Sequence, residues 1–140
     1  MRALFAGVIG LALTGCAETP QRVADRFVDR YFVEADQARA RPLTAGLAQK
    51  KIDDELKLVG PVRQAEDDRE QKRPTVFYER RELSVEGERA RATYDLTIRF
   101  GSDETRKNAL LSLEHAEGVW RVANFMVAEG HLPGPRPAGK

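Results

Sequence analysis

Hydrophobic side chains recur along this chain with three different periods, and the changes of period divide it into segments. Residues 3–13 (ALFAGVIGLAL) form an unbroken apolar run behind Met1 and Arg2. From Val23 the spacing becomes three and four: Val23, Ala24, Phe27, Val28, Tyr31, Phe32 and Ala35 make one stripe, with Asp25, Arg26, Asp29, Arg30 and Glu34 on the other side. That is the period of an amphipathic helix. Thr19 offers a capping hydroxyl and Pro20 suits the first helical position, so a helix is expected over about 20–39. Arg41-Pro42 should break it, because the residue before a proline is pushed out of the helical region. A second helix is expected over 44–58, with Ala48, Ile52, Leu56 and Val59 inward and Gly60-Pro61 as its stop.

Residues 63–73 (RQAEDDREQKR) then hold four basic and four acidic side chains and one apolar residue, Ala65. With no face to bury, the stretch 62–74 is expected to be a solvated, charged loop. After Pro74 the period shortens to two. Segments 75–85 and 89–100 flank Glu86-Gly87-Glu88, and segments 105–115 and 119–128 flank Glu117-Gly118, which reads as two long antiparallel hairpins. On 89–100, Ala90, Ala92, Tyr94, Leu96, Ile98 and Phe100 alternate with Arg91, Thr93, Asp95, Thr97 and Arg99, the mark of a half-buried strand. The expected fold is α+β: N-terminal amphipathic helices packed on one face of a curved antiparallel sheet, in a single domain over 20–128. Residues 129–140, with three prolines among the last ten, read as a disordered tail.

Composition narrows the function classes. At 140 residues with 41% hydrophobic side chains the chain can bury one core. A single cysteine excludes an internal disulfide and any multi-thiolate zinc or iron–sulfur site. The lone Cys16 closes the sequence Leu13-Thr14-Gly15-Cys16, directly after a charged start and an apolar run too short, at about 16 Å as a helix, to cross a bilayer. This resembles the lipobox of bacterial lipoproteins. The resemblance implies that residues 1–15 are a signal peptide and that Cys16 becomes lipidated, for example with palmitate, leaving 16–19 as a tether. The partner so implied is a membrane, and the location the cell envelope. With Ala17 after the cysteine, the resemblance favours the outer membrane, facing the periplasm, in a Gram-negative source. Removal of 1–15 takes Arg2 and leaves 22 basic and 22 acidic side chains, a balance that argues against a nucleic-acid binder held by phosphates.

The order of elements, together with the closing segment Gly118-Val119-Trp120-Arg121-Val122, resembles the nuclear transport factor 2 and ketosteroid isomerase superfamily, also called cystatin-like. The resemblance implies a cone-shaped fold with a pocket between sheet and helices that accepts small apolar molecules. An isomerase-type site there needs a carboxylate base facing an oxyanion donor. The candidate pocket residues are Tyr31, Glu79, Tyr94 and Asn124, with Glu79 placed inward on the parity of Phe77 and Leu83. Side-chain parity is fragile, since a slip of one residue exchanges the faces of a strand. Arg80, Arg89, Arg91 and Arg99 are expected on the outer face, where Arg91 and Arg99 are the candidate binding residues. His115 and His131 share no ligand spacing, so neither a metal nor a cofactor is expected. The favoured reading is a lipid-anchored, non-enzymatic module that binds an envelope protein or a small apolar ligand. The alternative is an isomerase- or dehydratase-type pocket enzyme.

Overall fold

The computed structural model describes residues 17–66 and 73–129, the side chains of 59–66 excepted. The expected signal peptide, Cys16 and the tail beyond Glu129 therefore lie outside the described residues.

The first helix, α1 (Pro20–Val28), begins where the sequence places it, with the Thr19 hydroxyl accepting from the Arg22 amide. It does not run unbroken to residue 39. Its last turn widens into a π-helical turn (Asp29–Val33), and Ala35 takes a left-handed backbone conformation (φ 52°). The amide of Glu34 reaches back to the Asp29 carbonyl and that of Asp36 to the Arg30 carbonyl, which ends the helix. Asp36 then caps a short second helix, α2 (Gln37–Ala40), its carboxylate accepting from the Arg39 amide. The capping side chain competes with the helix ladder, so the break falls before Arg41-Pro42, and Pro42 sits inside a 3-10 turn (Arg41–Leu43).

The third helix, α3 (Gly46–Glu66), continues through Gly60-Pro61. A proline deletes one backbone bond of the ladder, and near the end of a 21-residue helix that loss is local. Residues 62–66 of the expected charged loop are therefore helical. Of the remainder, 67–72 lies outside the described residues, and Arg73 and Pro74 lead into the sheet without regular structure.

The sheet is a four-stranded antiparallel meander in the order β1 (Thr75–Glu86), β2 (Arg89–Phe100), β3 (Asp103–Ala116) and β4 (Val119–Glu129). The β3–β4 turn needs positive φ at both central residues, and Glu117 (54°) and Gly118 (76°) supply it. Two bulges set the side-chain parity. One lies in β1, where Arg80 faces Tyr94 and Glu82 faces Thr93, so that Arg81 is the extra residue. The other lies in β4, where Leu113 faces Val122 and Ser112 faces Asn124, so that Ala123 is the extra residue.

The helices cover one face of this curved sheet. Val23, Ala24, Phe27 and Val28 of α1 and Ala48 and Ile52 of α3 are fully buried against Ala92, Tyr94 and Leu96 of β2, Ala109, Leu111 and Leu113 of β3, and Val122 and Phe125 of β4. The alternation expected along β2 is observed from Arg89 to Leu96; Ile98 is half-buried like Thr97, and Phe100 is exposed. Among the described residues no helix covers the opposite face of the sheet.

Candidate functional site

The covered face is filled by side chains where a pocket was expected. Phe27 stacks on Tyr31 with ring centroids 5.4 Å apart, Phe125 lies 5.2 Å from Phe27 and 4.8 Å from Tyr31, and Phe32 meets both α1-side rings edge-on. Such ring pairs close-pack the interior and leave the polar ends of the tyrosines to find partners.

Both do. The Tyr94 hydroxyl donates to Asp25 Oδ1 at 2.7 Å, and Asp25 also takes both oxygens to Arg80 Nη1, at 2.9 and 2.8 Å. The Gln21 amide oxygen, turned toward the guanidinium, accepts from it at 2.9 Å. Burial, the bond to the Asp25 carboxylate and its charge push the Tyr94 phenol far above its ordinary value. Tyr31 donates to Glu55 Oε1 at 2.6 Å, and burial followed by that bond raises its phenol in the same way. A phenol whose proton is held on a carboxylate can donate one hydrogen bond, and here that bond is already made. The two clusters tie α1 to the sheet and the π-helical turn to α3.

Glu79 does not join them. Its strand partner is Asp95, and both project from the helix-free face. The bulge at Arg81 is the reason: before it Val76, Tyr78 and Arg80 point inward, after it Leu83 does, so Phe77 and Leu83 lie on opposite faces despite equal parity. The same bulge brings Arg80, expected on the outer face, to Asp25. Asn124 is likewise turned out by the β4 bulge. Its Oδ1 accepts from the Phe125 amide and from Lys51 Nζ, both at 2.9 Å, while Lys51 also donates to the Phe125 carbonyl at 2.6 Å. Together with the Ala45 amide on the Val122 carbonyl, these contacts satisfy the outer backbone groups of an edge strand. Asp25, Arg80 and Glu55 are the members that sequence reasoning missed. The signal was present in Val76, Tyr78 and Arg80, an inward set at even positions that conflicts with Leu83 unless one residue is looped out.

The open groups lie on the helix-free face. A groove of about 600 Å³ runs across β1, β2 and β3, lined by Phe77, Glu79, Arg81, Asp95, Arg106 and Asn108 among others. Arg81 pairs with Asp95 at 2.6 Å, and Arg99, above the Phe77 ring at 5.1 Å, pairs with Glu104 at 2.9 Å. Arg91 is exposed and, among the described residues, forms no ion pair; it borders a second cleft of about 210 Å³ with Leu110, Asn124 and Met126. Arg91 and Arg99 thus stand on the face where they were expected. Among the described residues no group of three or more histidine, cysteine, aspartate or glutamate side chains is placed to hold a metal ion. None of the described helices is long and apolar enough to cross a membrane.

No protein-family model and no curated protein matches the sequence. Solved structures do match. The chain is similar to Rd1NTF2_05, a chain bearing five substitutions, with a TM-score of 0.52 at 12% identity over 77% of this chain and 95% of that one. It also aligns with an NTF2-like protein of unknown function from Shewanella baltica OS155, at a TM-score of 0.49 and 15% identity over 79% of this chain and 92% of that one. At such identities a likeness speaks for the architecture alone. The likeness shows the fold, an α+β cone like that of Rd1NTF2_05, with helices on one face of a curved four-stranded antiparallel sheet.

Proposed function

We infer that this protein is a lipid-anchored component of a bacterial cell envelope whose NTF2-like domain works by binding, through the helix-free face of its sheet. The observation that carries the binding reading is the contrast between a covered face where the Tyr31 and Tyr94 phenols are consumed by internal carboxylates and an open face that presents the groove at Phe77, Arg81 and Arg106. The anchor rests on Leu13-Thr14-Gly15-Cys16 behind its apolar run. Two or more acyl chains at about 0.8 kcal/mol per buried methylene hold a protein stably where one does not.

The binding face is mixed in charge, with Arg91, Arg99 and Arg106 among Glu79, Asp95 and Glu104, and its exposed aromatic is Phe77. That composition suits an envelope protein surface with both charges better than a purely apolar ligand.

Two measurements test the reading. The full chain should incorporate labelled palmitate, and Cys16→Ser should abolish incorporation; an unlabelled native chain refutes the anchor. A photo-crosslinking residue at Phe77 should give one discrete adduct in native membranes, and Arg91→Glu with Arg99→Glu should abolish it. Persistence of the adduct in that double variant, or no adduct at all, refutes the binding face.

A further inference from the structure

We propose that the cleft at Arg91 receives an extended segment of the partner protein in which an acidic and an apolar side chain lie two residues apart. The carboxylate meets Arg91, Ser112 and Asn124, and the apolar group covers Leu110 and Met126. This rests on the binding face proposed above and names the chemistry it recognises.

The strand pairing sets out the helix-free face in rows. Glu86, Arg89, Glu114 and Arg121 stand side by side in one row, Ser84, Arg91, Ser112 and Asn124 in the next, and Glu82, Thr93, Leu110 and Met126 in the third. Charges alternate along the first row, so each of its cations has a carboxylate across from it. Farther along the face Arg81 pairs with Asp95, and Arg99 and Arg106 pair with Glu104. Arg91 differs, because its cross-strand neighbours are Ser84 and Ser112. Among the described residues it is the one cation of this face with a carboxylate neither across from it nor in an ion pair.

The rest of its row adds donors without adding negative charge. Ser112 is exposed, and its hydroxyl has no partner among the described residues. The Asn124 Oδ1 is taken by Lys51 Nζ and by the Phe125 amide, each at 2.9 Å, which fixes the side-chain amide and leaves its NH2 group to donate elsewhere. Lys51 brings a second positive charge to that end of the row, and its bonds go to the neutral oxygens of Asn124 and Phe125. Two cations thus bracket a hydroxyl and an amide within about 10 Å, two strand spacings, a set of donors that suits the two acceptor oxygens of a carboxylate. Glu82 and Glu114 stand in the rows on either side, which favours a single negative charge over the nearly doubled charge of a phosphate.

The third row decides what adjoins the carboxylate. Leu110 is half-buried and Met126 exposed, and together they floor the apolar part of the cleft. Its volume of about 210 Å³ lies below the roughly 300–1,000 Å³ of sites that enclose a free small molecule. It therefore takes one side chain of something larger that rests on the face. Ser112 and Leu110 are two residues apart on β3, about 6.6 Å, and an extended segment repeats on one side with the same spacing. An acid and an apolar residue at positions i and i+2 reach both rows at once.

The chain has two methionines, so once Met1 leaves with the expected signal peptide, Met126 is the single methyl reporter of its kind. In the full lipidated chain, held in detergent micelles, the isotope-labelled Met126 methyl should shift saturably with the peptide acetyl-Gly-Glu-Thr-Leu-Gly-amide. That peptide should bind about fivefold more tightly than its Gln-for-Glu counterpart, the weight of one exposed ion pair. The Ala-for-Leu counterpart should leave the methyl unshifted. Arg91→Gln should remove the fivefold preference, and Arg99→Gln, on the same face, should keep it. Absence of a saturable shift, equal binding of the Glu and Gln peptides, a preference that survives Arg91→Gln, or one lost equally in Arg99→Gln overturns the cleft assignment. A Phe77 adduct in native membranes then still supports the wider face. A selective Met126 shift without that adduct overturns the wider face and leaves the cleft as a peptide site.

Discussion

The two faces of the sheet are built from the same four strands, yet only one has its polar chemistry closed. On the helix-covered face two phenols end on carboxylates, Tyr94 on Asp25 and Tyr31 on Glu55, and the space between is filled by Phe27 and Phe125. On the helix-free face the ion pairs Arg81–Asp95 and Arg99–Glu104 lie in water beside an exposed Phe77. The comparison teaches that one sheet can serve two environments, with its polar groups paired internally on the side that excludes water and left to solvent on the side that does not. Exposed pairs of this kind contribute about 0–1 kcal/mol each, so the open face can change its residues at little cost to the fold.

The comparison breaks if the faces respond alike to substitution. The largest difference is expected for Phe27→Ala, which empties a fully buried position between two rings and should cost about 3–5 kcal/mol in denaturant unfolding. Phe77→Ala, on the open face, should lie at the other end of the scale. A similar cost at both positions would show that the open face is also structural.

Tyr94→Phe comes next. It removes a 2.7 Å bond from a buried phenol to a carboxylate and should destabilise by about 1–2 kcal/mol, with Asp25 still held by Arg80. If it instead leaves stability unchanged, the cluster is not what fastens α1 to β2.

Alkali sharpens the same point. The chain has three tyrosines, and all three phenols are raised above 10.0 in the folded state, Tyr31 and Tyr94 by burial and then by a hydrogen bond to a carboxylate, Tyr78 by burial and then by Asp29 and Asp25. A raised folded value means that the stabilisation is fully present below pH 10 and is lost as pH climbs through and beyond it, because only the unfolded chain then releases the protons. Phenolate absorbance should therefore appear together with unfolding, and Tyr94→Phe should flatten the fall of stability above pH 10. Phenolate forming ahead of unfolding would contradict the closed network.

Smaller still is the edge of β4. Lys51→Ala frees the Phe125 carbonyl and the Asn124 amide, and should raise self-association in sedimentation with a stability change of about 1 kcal/mol or less. The smallest effect is expected for Phe77→Ala, about 0.5 kcal/mol or less on unfolding.

Most of the architecture was legible in the periods. The alternation of β2 named its inner face, the turns fell at Gly87 and Gly118, and the Thr19-Pro20 start of α1 is where the hydroxyl caps the helix. The candidate site was less so. Tyr31 and Tyr94 do face the helices, but Glu79 and Asn124 do not, and Asp25 was set aside as solvent-facing. In each strand that misled, one looped-out residue had exchanged the faces.

By itself the sequence determined what local rules control: the caps, the turns and the periods that make helices and strands. The tertiary structure alone decided which polar groups meet. A bulge costs nothing that periodicity registers, since the residues around it keep their strand character, yet it moves Arg80 to Asp25 and Glu79 to the opposite side. Partnerships across 55 or 69 residues, such as Arg80 with Asp25 and Tyr94 with Asp25, depend on how two elements dock, and docking is set by the packing of the whole core.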